Sequence, residues 1–297
     1  MNGIRQILKK INKLKQKFLR IIARHFPTLR PFMRYAHQKV LKMFPPRFSG
    51  WGMTSRHELA WVDEYNWNNF RQSAQDIKEK YLKKQFEFDK DTDISTGVFD
   101  SLLWRHWIIS FFVKYAVEFN RSQSNELNLV ELGTADGVSA FFTLRQMEEC
   151  KRNAPNIKYA MHLYDSWGAM REKELLKTEL LNVGEYSILS LERTKRNLAE
   201  FKDKVFYHQG YIPESLGASV APDSIIYMHI DLNSAMPTLA GLEFFYPKMV
   251  LGGVILFDDY GGSGYPETKE VVDEFFAKKP VILMKLPTGQ AIFFLNS

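Results

Sequence analysis

The chain has 297 residues, of which 45% are hydrophobic and 25% charged, with a formal net charge of +6 and a single cysteine. The apolar content is sufficient for a sizeable core, and one cysteine, Cys150, excludes an internal disulfide framework. No segment approaches the roughly 20 apolar residues of a membrane span, and lysines interrupt every candidate signal-peptide core. We therefore expect one large cytoplasmic domain, or one domain with an extension.

The basic charge is concentrated at the N-terminus. Residues 1–57 carry 14 Lys and Arg and no Asp or Glu, so the remainder of the chain is net acidic. Apolar residues recur at helical spacing from Ile4 to Ile22, and Pro27 ends the predicted helix. This basic amphipathic helix fits peripheral contact with an anionic membrane through residues 1–26. It also fits docking on the acidic body of its own or a neighbouring subunit, and we expect a homo-oligomer.

Two other interpretations of this helix are weaker. A parallel coiled coil would place like charges beside its seam, which is costly. A mitochondrial transit peptide is disfavoured because the segment is rich in lysine and poor in serine.

The chain divides into three predicted segments. Residues 1–57 form the basic extension and connector, 58–120 a helical lead-in, and 121–297 the main domain. In the lead-in, helices are predicted at 58–67, 70–85 and 101–119. The last of these is strongly apolar and aromatic, which is typical of a helix buried against a sheet.

From Asn128 onward, predicted strands and helices alternate. This order predicts an α/β fold with a doubly wound, mainly parallel, seven-stranded sheet of the Rossmann-like kind. Strands are predicted at 128–132, 159–164, 204–208, 225–231, 251–257, 280–286 and 290–295. Helices are predicted at 138–152, 171–182, 187–200, 236–245 and 266–277. Three residues, 287–289, separate the last two strands, which predicts an antiparallel hairpin.

The segment Asn128–Ser139 has the pattern of a strand, a glycine turn and a helix, as at the first turn of a nucleotide-binding fold. The pattern is E-x-G-x-x-x-G rather than G-x-G-x-x-G. It suits a ligand whose charged end is an amino acid, as in S-adenosylmethionine, although many tight structural turns also contain two glycines. The residues predicted to surround that end are Glu131, Gly133, Thr134, Asp136, Gly137 and Ser139.

Two later loops extend the predicted nucleoside site. Asp165, followed by Ser166, ends the second strand about thirty residues past the glycine turn, where a carboxylate can accept hydrogen bonds from both ribose hydroxyls. The alternative is that Asp165 caps the next helix. The loop after the third strand, with Gly210 and Tyr211, would pass the adenine.

Three carboxylates follow two neighbouring strands. Asp231 ends the fourth strand, and Asp258 and Asp259 end the fifth. Converging acids repel one another unless a cation lies among them, and oxygen ligands suit Mg²⁺ first and Mn²⁺ second. The alternative is that Asp258 caps a turn and Asp259 is solvated.

Residues 101–297 resemble the macrocin O-methyltransferase family, class I methyltransferases that act on sugar hydroxyls of antibiotics. A parallel sheet that closes with an antiparallel hairpin is typical of that class. The matching motifs are Arg105-His106, Val130-Glu131-Leu132-Gly133, Tyr164-Asp165-Ser166-Trp167, Gly210-Tyr211-Ile212-Pro213, His229-Ile230-Asp231, Leu251-Gly252-Gly253-Val254, Asp258-Asp259-Tyr260-Gly261 and Val272-Asp273-Glu274-Phe275.

The resemblance implies S-adenosylmethionine and a divalent metal, usually Mg²⁺. One departure concerns the fourth strand, after which the family carries a second acid where this chain has Asn233. The basic N-terminal arm has no counterpart that can be carried over from the family.

The resulting hypothesis is a metal-dependent O-methyltransferase that acts on a hydroxylated acceptor, in the first place a sugar. His208, His229 and Asp231 are candidates for the general base. A catechol or phenol acceptor is a rival within the enzyme class, and a non-catalytic cofactor-binding scaffold recruited by the basic arm is a rival outside it. Nucleic acid is a weaker partner because no RNA- or DNA-binding module accompanies the arm.

Overall fold

The structure, a computed structural model, describes residues 65–88, 94, 98–122, 126–218, 220–262, 265–279 and 283–295. These residues all belong to the second of the chain's two units, Leu59–Ser297. The predicted arm helix, its connector and most of the predicted helix at 58–67 lie outside the described residues. The three-segment division of the chain therefore stays a prediction. No helix among the described residues is long and apolar enough to cross a membrane.

The described core is built on a seven-stranded sheet, which confirms the predicted fold. The strands are β1 Glu126–Leu132, β2 Lys158–Asp165, β3 Val205–Gln209, β4 Ile225–Ile230, β5 Met249–Phe257, β6 Leu283–Lys285 and β7 Ala291–Phe294. Their order is β3-β2-β1-β4-β5-β7-β6. The first five strands are parallel, and β7 runs antiparallel to both β5 and β6. The chain thus reverses its winding between β1 and β4, where such sheets bind ligands.

Helices cover both faces of the sheet. They are α1 Tyr65–Leu82, α2 Val98–Ser101, α3 Leu103–Asn120, α4 Val138–Asn153, α5 Leu191–Asn197, α6 Ala235–Phe245 and α7 Pro266–Phe276. Alternate residues of β5 show the two layers, since Val254 and Leu256 belong to the core beneath α3 and α4, and Ile255 and Phe257 to the core beneath α6 and α7. Because both faces are covered, β5 has a continuous apolar run, which is typical of a parallel strand.

The predicted helix at 171–182 is wrong. The segment contains two short 3₁₀ turns, Glu172–Glu174 and Leu180–Asn182. Met170 exchanges backbone hydrogen bonds with Gly184 and Glu185, both at 2.9 Å, and this closes the segment into a loop. The carboxylate of Glu179, at the middle of that loop, accepts bonds from the backbone N–H groups of Leu176 and Ala235. These hydrogen bonds take the place of the backbone hydrogen bonds that a helix at 171–182 would have made.

The predicted helix at 187–200 is shorter in the structure, where α5 spans Leu191–Asn197 and a 3₁₀ turn follows at Ala199–Phe201. The later start has a local cause. Tyr186 has a positive φ of 63°, and Leu189 donates its N–H to the Tyr186 carbonyl in a turn.

Candidate active site

A cavity of about 470 Å³ opens at the C-terminal ends of β1, β2, β4 and β5. The loops after these strands, the first turn of α3 and the loop of residues 168–189 form its wall. The predicted site residues that line it are Gly133, Thr134, Asp136, Ser139, Asp165, Ser166, Gly210, Tyr211, His229, Asp231, Asp258 and Asp259. The sheet therefore brings the predicted nucleoside residues and the predicted metal ligands to one space.

The glycine turn fits the sheet closely at Gly133. This residue has a φ of +85°, and a Cβ built there would lie 1.8 Å from the carbonyl oxygen of Asp231. Both its conformation and the close approach of the β1 and β4 strand ends therefore require glycine. Gly137, also at +85°, does not line the cavity but turns the chain into α4.

Asp165 holds the glycine turn in place. Its Oδ2 accepts bonds from the backbone N–H groups of Thr134 and Ala135, both at 2.8 Å, and its Oδ1 accepts one from Trp167 at 2.6 Å. Burial raises the pKa of this carboxyl even though the three backbone bonds oppose the shift. Asp165 therefore bonds to two loops rather than to the start of a helix.

Three of the residues predicted to surround the cofactor offer no free side-chain group to the cavity. Glu131 is fully buried beneath it and accepts a hydrogen bond from the Ser139 hydroxyl, and burial raises the pKa of Glu131. Asp136 lines the wall, but its carboxylate pairs with Arg193 Nε at 2.5 Å. Gly137, as described above, has a conformational role.

His208 lies away from the cavity because β3 directs its ring toward β2. The ring stacks on Tyr164, with centroids 4.1 Å apart, and its Nε2 lies 3.0 Å from His162 Nδ1. Burial lowers the pKa of His208. The sequence could not anticipate this placement, since a strand-end histidine can project to either face of the sheet.

The three aspartates form an acidic cluster, Asp231, Asp258 and Asp259, at the ends of β4 and β5. His229 joins it, and one ligand atom each from His229, Asp231 and Asp258 lie within 4.8 Å of one another. Asp259 is buried. Burial and then the negative charge of Asp231 raise the pKa of Asp259 well above its usual range.

Asn233, the departure from the family motif, contacts this acidic cluster directly. Its backbone N–H donates to Asp259 Oδ2 at 3.0 Å, and its side-chain amide donates to Asp231 Oδ1 at 3.3 Å. Asn233 thus contributes two hydrogen-bond donors to the acidic cluster.

Four residues of the cavity wall were not predicted from the sequence to be functional. His106 lines the cavity from α3, and Arg105 beside it pairs with Asp258. Tyr186 and Tyr265 also line it, are hydrogen-bonded to each other and lie near Asp231 and Asp259. Arg105 and His106 could have been found from the sequence, because they are polar residues in an otherwise aromatic helix. The two tyrosines lie in separate loops, and no local sequence pattern connects them.

Comparison with known proteins agrees with this geometry. Residues 130–260 match the family model described as a methyltransferase domain. This part of the chain is a methyltransferase domain. The match spans the glycine turn of the methyltransferase domain, Asp165 and the acidic cluster, and it confirms the expected enzyme class. No curated protein matches the chain.

Solved structures confirm the class I methyltransferase fold. The O-methyltransferase NovP has a TM-score of 0.55 and 20% identity over 66% of this chain and 81% of its own. The calicheamicin methyltransferase CalS11 has a TM-score of 0.51 and 13% identity over 84% of this chain and 100% of its own. At such identities the likeness shows the fold.

Proposed function

We propose that this methyltransferase transfers a methyl group from S-adenosylmethionine to a hydroxyl of a sugar or a glycosylated small molecule, with the help of a divalent cation. The observation that carries the proposal is the composition of a single cavity. The glycine turn, Asp165 and the acidic cluster all line it. A methyl donor and a hydroxyl acceptor would meet between them.

The cofactor would lie against the glycine turn. Ser139, supported from below by Glu131, would face its amino-acid end, and Asp165 its ribose. Three of the four lone-pair positions of the Asp165 carboxylate accept backbone N–H groups, so one position on Oδ1 remains to accept a ribose hydroxyl. Gly210 and Tyr211 would border the adenine.

The acidic cluster fits a divalent cation on its own geometry. One ligand atom each from His229, Asp231 and Asp258 lie within 4.8 Å of one another, so these side chains are close enough to share one ion. Burial and then the negative charge of Asp231 raise the pKa of Asp259, and a cation among these carboxylates would favour their ionised form. Asp231, Asp258 and Asp259 would hold Mg²⁺, or Mn²⁺ second, which supplies Lewis acidity that favours ionisation of a hydroxyl.

The chain's own residues complete the reaction. The acceptor oxygen attacks the methyl carbon, the carbon–sulfur bond breaks, and a methyl ether and S-adenosylhomocysteine result. Among the three candidate bases, His208 lies outside the cavity, and the side chain of His229 is only 2% exposed. We therefore assign the hydroxyl proton to the carboxylate of Asp231, which lines the cavity and is partly exposed.

The proposed class of acceptor is inferred from the similarity of this chain to other methyltransferases. NovP is described as an O-methyltransferase and CalS11 as a calicheamicin methyltransferase, and both share this fold. Together with the motifs of residues 101–297, this supports membership of the macrocin O-methyltransferase family and a sugar hydroxyl as acceptor.

The test is a methyl-transfer assay on the full chain with labelled S-adenosylmethionine and parallel panels of nucleotide sugars, glycosides and catechols. We expect transfer to a sugar hydroxyl with Mg²⁺, loss of transfer in excess chelator, and a large loss in Asp259→Asn. Asp273→Asn is the matched control, because Asp273 pairs with Lys269 and Tyr260 and does not line the cavity. Transfer to catechol alone would refute the sugar acceptor, and full activity in chelator would refute the metal.

A further inference from the structure

Arg105 reaches the acidic cluster from the first turn of α3. Its Nε donates to Asp258 Oδ1 at 3.1 Å, and its Nη2 pairs with Asp258 Oδ2. Gln290, which immediately precedes β7, donates its Nε2 to the same Oδ1 at 2.8 Å. The guanidinium therefore binds the carboxylate through two nitrogens, the geometry in which an Arg–carboxylate pair is strongest.

The same carboxylate belongs to the candidate cation position. His229 Nε2 lies 3.9 Å from Asp258 Oδ1, and neither ring nitrogen of this buried histidine has a hydrogen-bond partner among the described residues. Buried ring nitrogens without a partner, beside three acids, point to a ligand at this position. A guanidinium and a divalent cation that share one carboxylate would repel each other at short range.

The two partners of this ion pair differ in burial. The side chain of Asp258 is 3% exposed and that of Arg105 is 33% exposed. Arg105 also lines the open cavity. The arginine can therefore leave the pair by rotating into the cavity, whereas the aspartate stays at the strand end.

We propose that Arg105 is an internal counter-ion that competes with the divalent cation for Asp258, so that cation binding releases Arg105 and Arg105 sets the cation affinity of the site. This inference rests on the cation site of the proposed function. Arg105 is a positioning residue in this account, because it acts on the site through Asp258.

Mn²⁺ binding to the full chain, measured by calorimetry and by electron paramagnetic resonance, tests the competition. Arg105→Gln should bind Mn²⁺ at least tenfold more tightly than the wild type, and Arg105→Lys should fall between them. Arg145→Gln is the matched control, since Arg145 pairs with Asp76 and lies outside the cavity; it should bind as the wild type does. Adding Asp258→Asn to Arg105→Gln should abolish the gain.

A second readout follows the arginine itself. In a ¹⁵N spectrum of arginine Nε–H groups, the resonance missing from Arg105→Lys identifies Arg105. Titration of the wild type with Mg²⁺ should shift that resonance and speed its exchange with water. Because Arg105→Lys keeps the charge, it also serves as the folded variant if Arg105→Gln does not fold.

The outcomes separate the two claims. Wild-type binding of Mn²⁺ with equal or weaker binding in the folded Arg105 variants would overturn the inference and leave the proposed function intact. An Arg105 resonance that saturating Mg²⁺ does not move would do the same. Absence of Mn²⁺ binding in every protein would overturn both the inference and the metal in the proposed function.

Discussion

The ring of His106 stacks on the ring of Phe142, with centroids 4.7 Å apart and an interplanar angle of 9°. Both ring nitrogens of this buried histidine are without a hydrogen-bond partner among the described residues. Burial, and then the charges of Arg105 and His229, lower the pKa of His106 to about 3. The folded enzyme thus holds a neutral histidine against its aromatic core, beside the cavity.

This neutral histidine makes the fold sensitive to acid. The unfolded chain binds a proton at His106 below a pH of about 6.5, and the folded chain does so only near pH 3. The unfolded state therefore binds more protons between these values, so stability falls as the pH falls. His106→Phe keeps the stacking and removes this proton. Urea unfolding should show that the stability of the wild type relative to the variant drops by up to about 1.4 kcal/mol per pH unit below pH 6. If the unfolding free energies of the two proteins fall in parallel as the pH falls, His106 is not the cause of the acid sensitivity.

Gly184 serves as a matched comparison for Gly133, whose backbone lies close to that of Asp231. Both glycines have a φ near +85°, but a Cβ at Gly184 would meet nothing within 4 Å. Gly184→Ala should cost about 1 kcal/mol of folding free energy for backbone strain alone. Gly133→Ala must also displace the Asp231 carbonyl and should cost several times more. Thermal unfolding of the two variants measures the difference, and equal costs would show that β1 and β4 do not approach as described.

The two cavity tyrosines should act on the acceptor. Burial raises the pKa of Tyr265 to about 12, so its phenol is protonated at neutral pH and can bond a polar acceptor near Asp259. Tyr265→Phe should raise the acceptor KM severalfold and leave S-adenosylhomocysteine affinity unchanged. Tyr260→Phe is the control, because its hydroxyl bonds Asp273 outside the cavity. An unchanged KM in Tyr265→Phe would place the acceptor elsewhere.

The sequence predicted the parts of this enzyme that depend on local pattern. The alternation of β5 places Val254 and Ile255 on opposite faces, and the glycine spacing marks the turn after β1. Asp231 and Asp258 were predicted to converge because parallel strands end at one edge.

What the sequence could not supply depends on distant contacts. A helix was predicted at 171–182, but Glu179 accepts a hydrogen bond from the start of α6 and the segment forms a loop instead. The Arg105–Asp258 pair joins residues that lie 153 positions apart, and no local signal connects Tyr186 with Tyr265. Such pairings arise only once the sheet has formed.

The basic arm remains a prediction from its sequence. Its apolar stripe needs a surface, and its cationic faces favour an anionic one. Deletion of residues 1–26 should leave cofactor affinity intact and change either oligomeric state, seen by light scattering, or binding to anionic vesicles. Vesicle binding should weaken with rising salt because the charges are screened. If neither property changes, both interpretations of the arm fail.

The central claim is that the cavity between the glycine turn and the acidic cluster binds S-adenosylmethionine. Calorimetric titration of the full chain with S-adenosylhomocysteine tests it most directly. We expect one molecule bound per chain, with at least tenfold weaker binding in Asp165→Asn and wild-type binding in Asp273→Asn. No heat of binding from a folded wild-type protein, or equal binding in a folded Asp165→Asn variant, would contradict it.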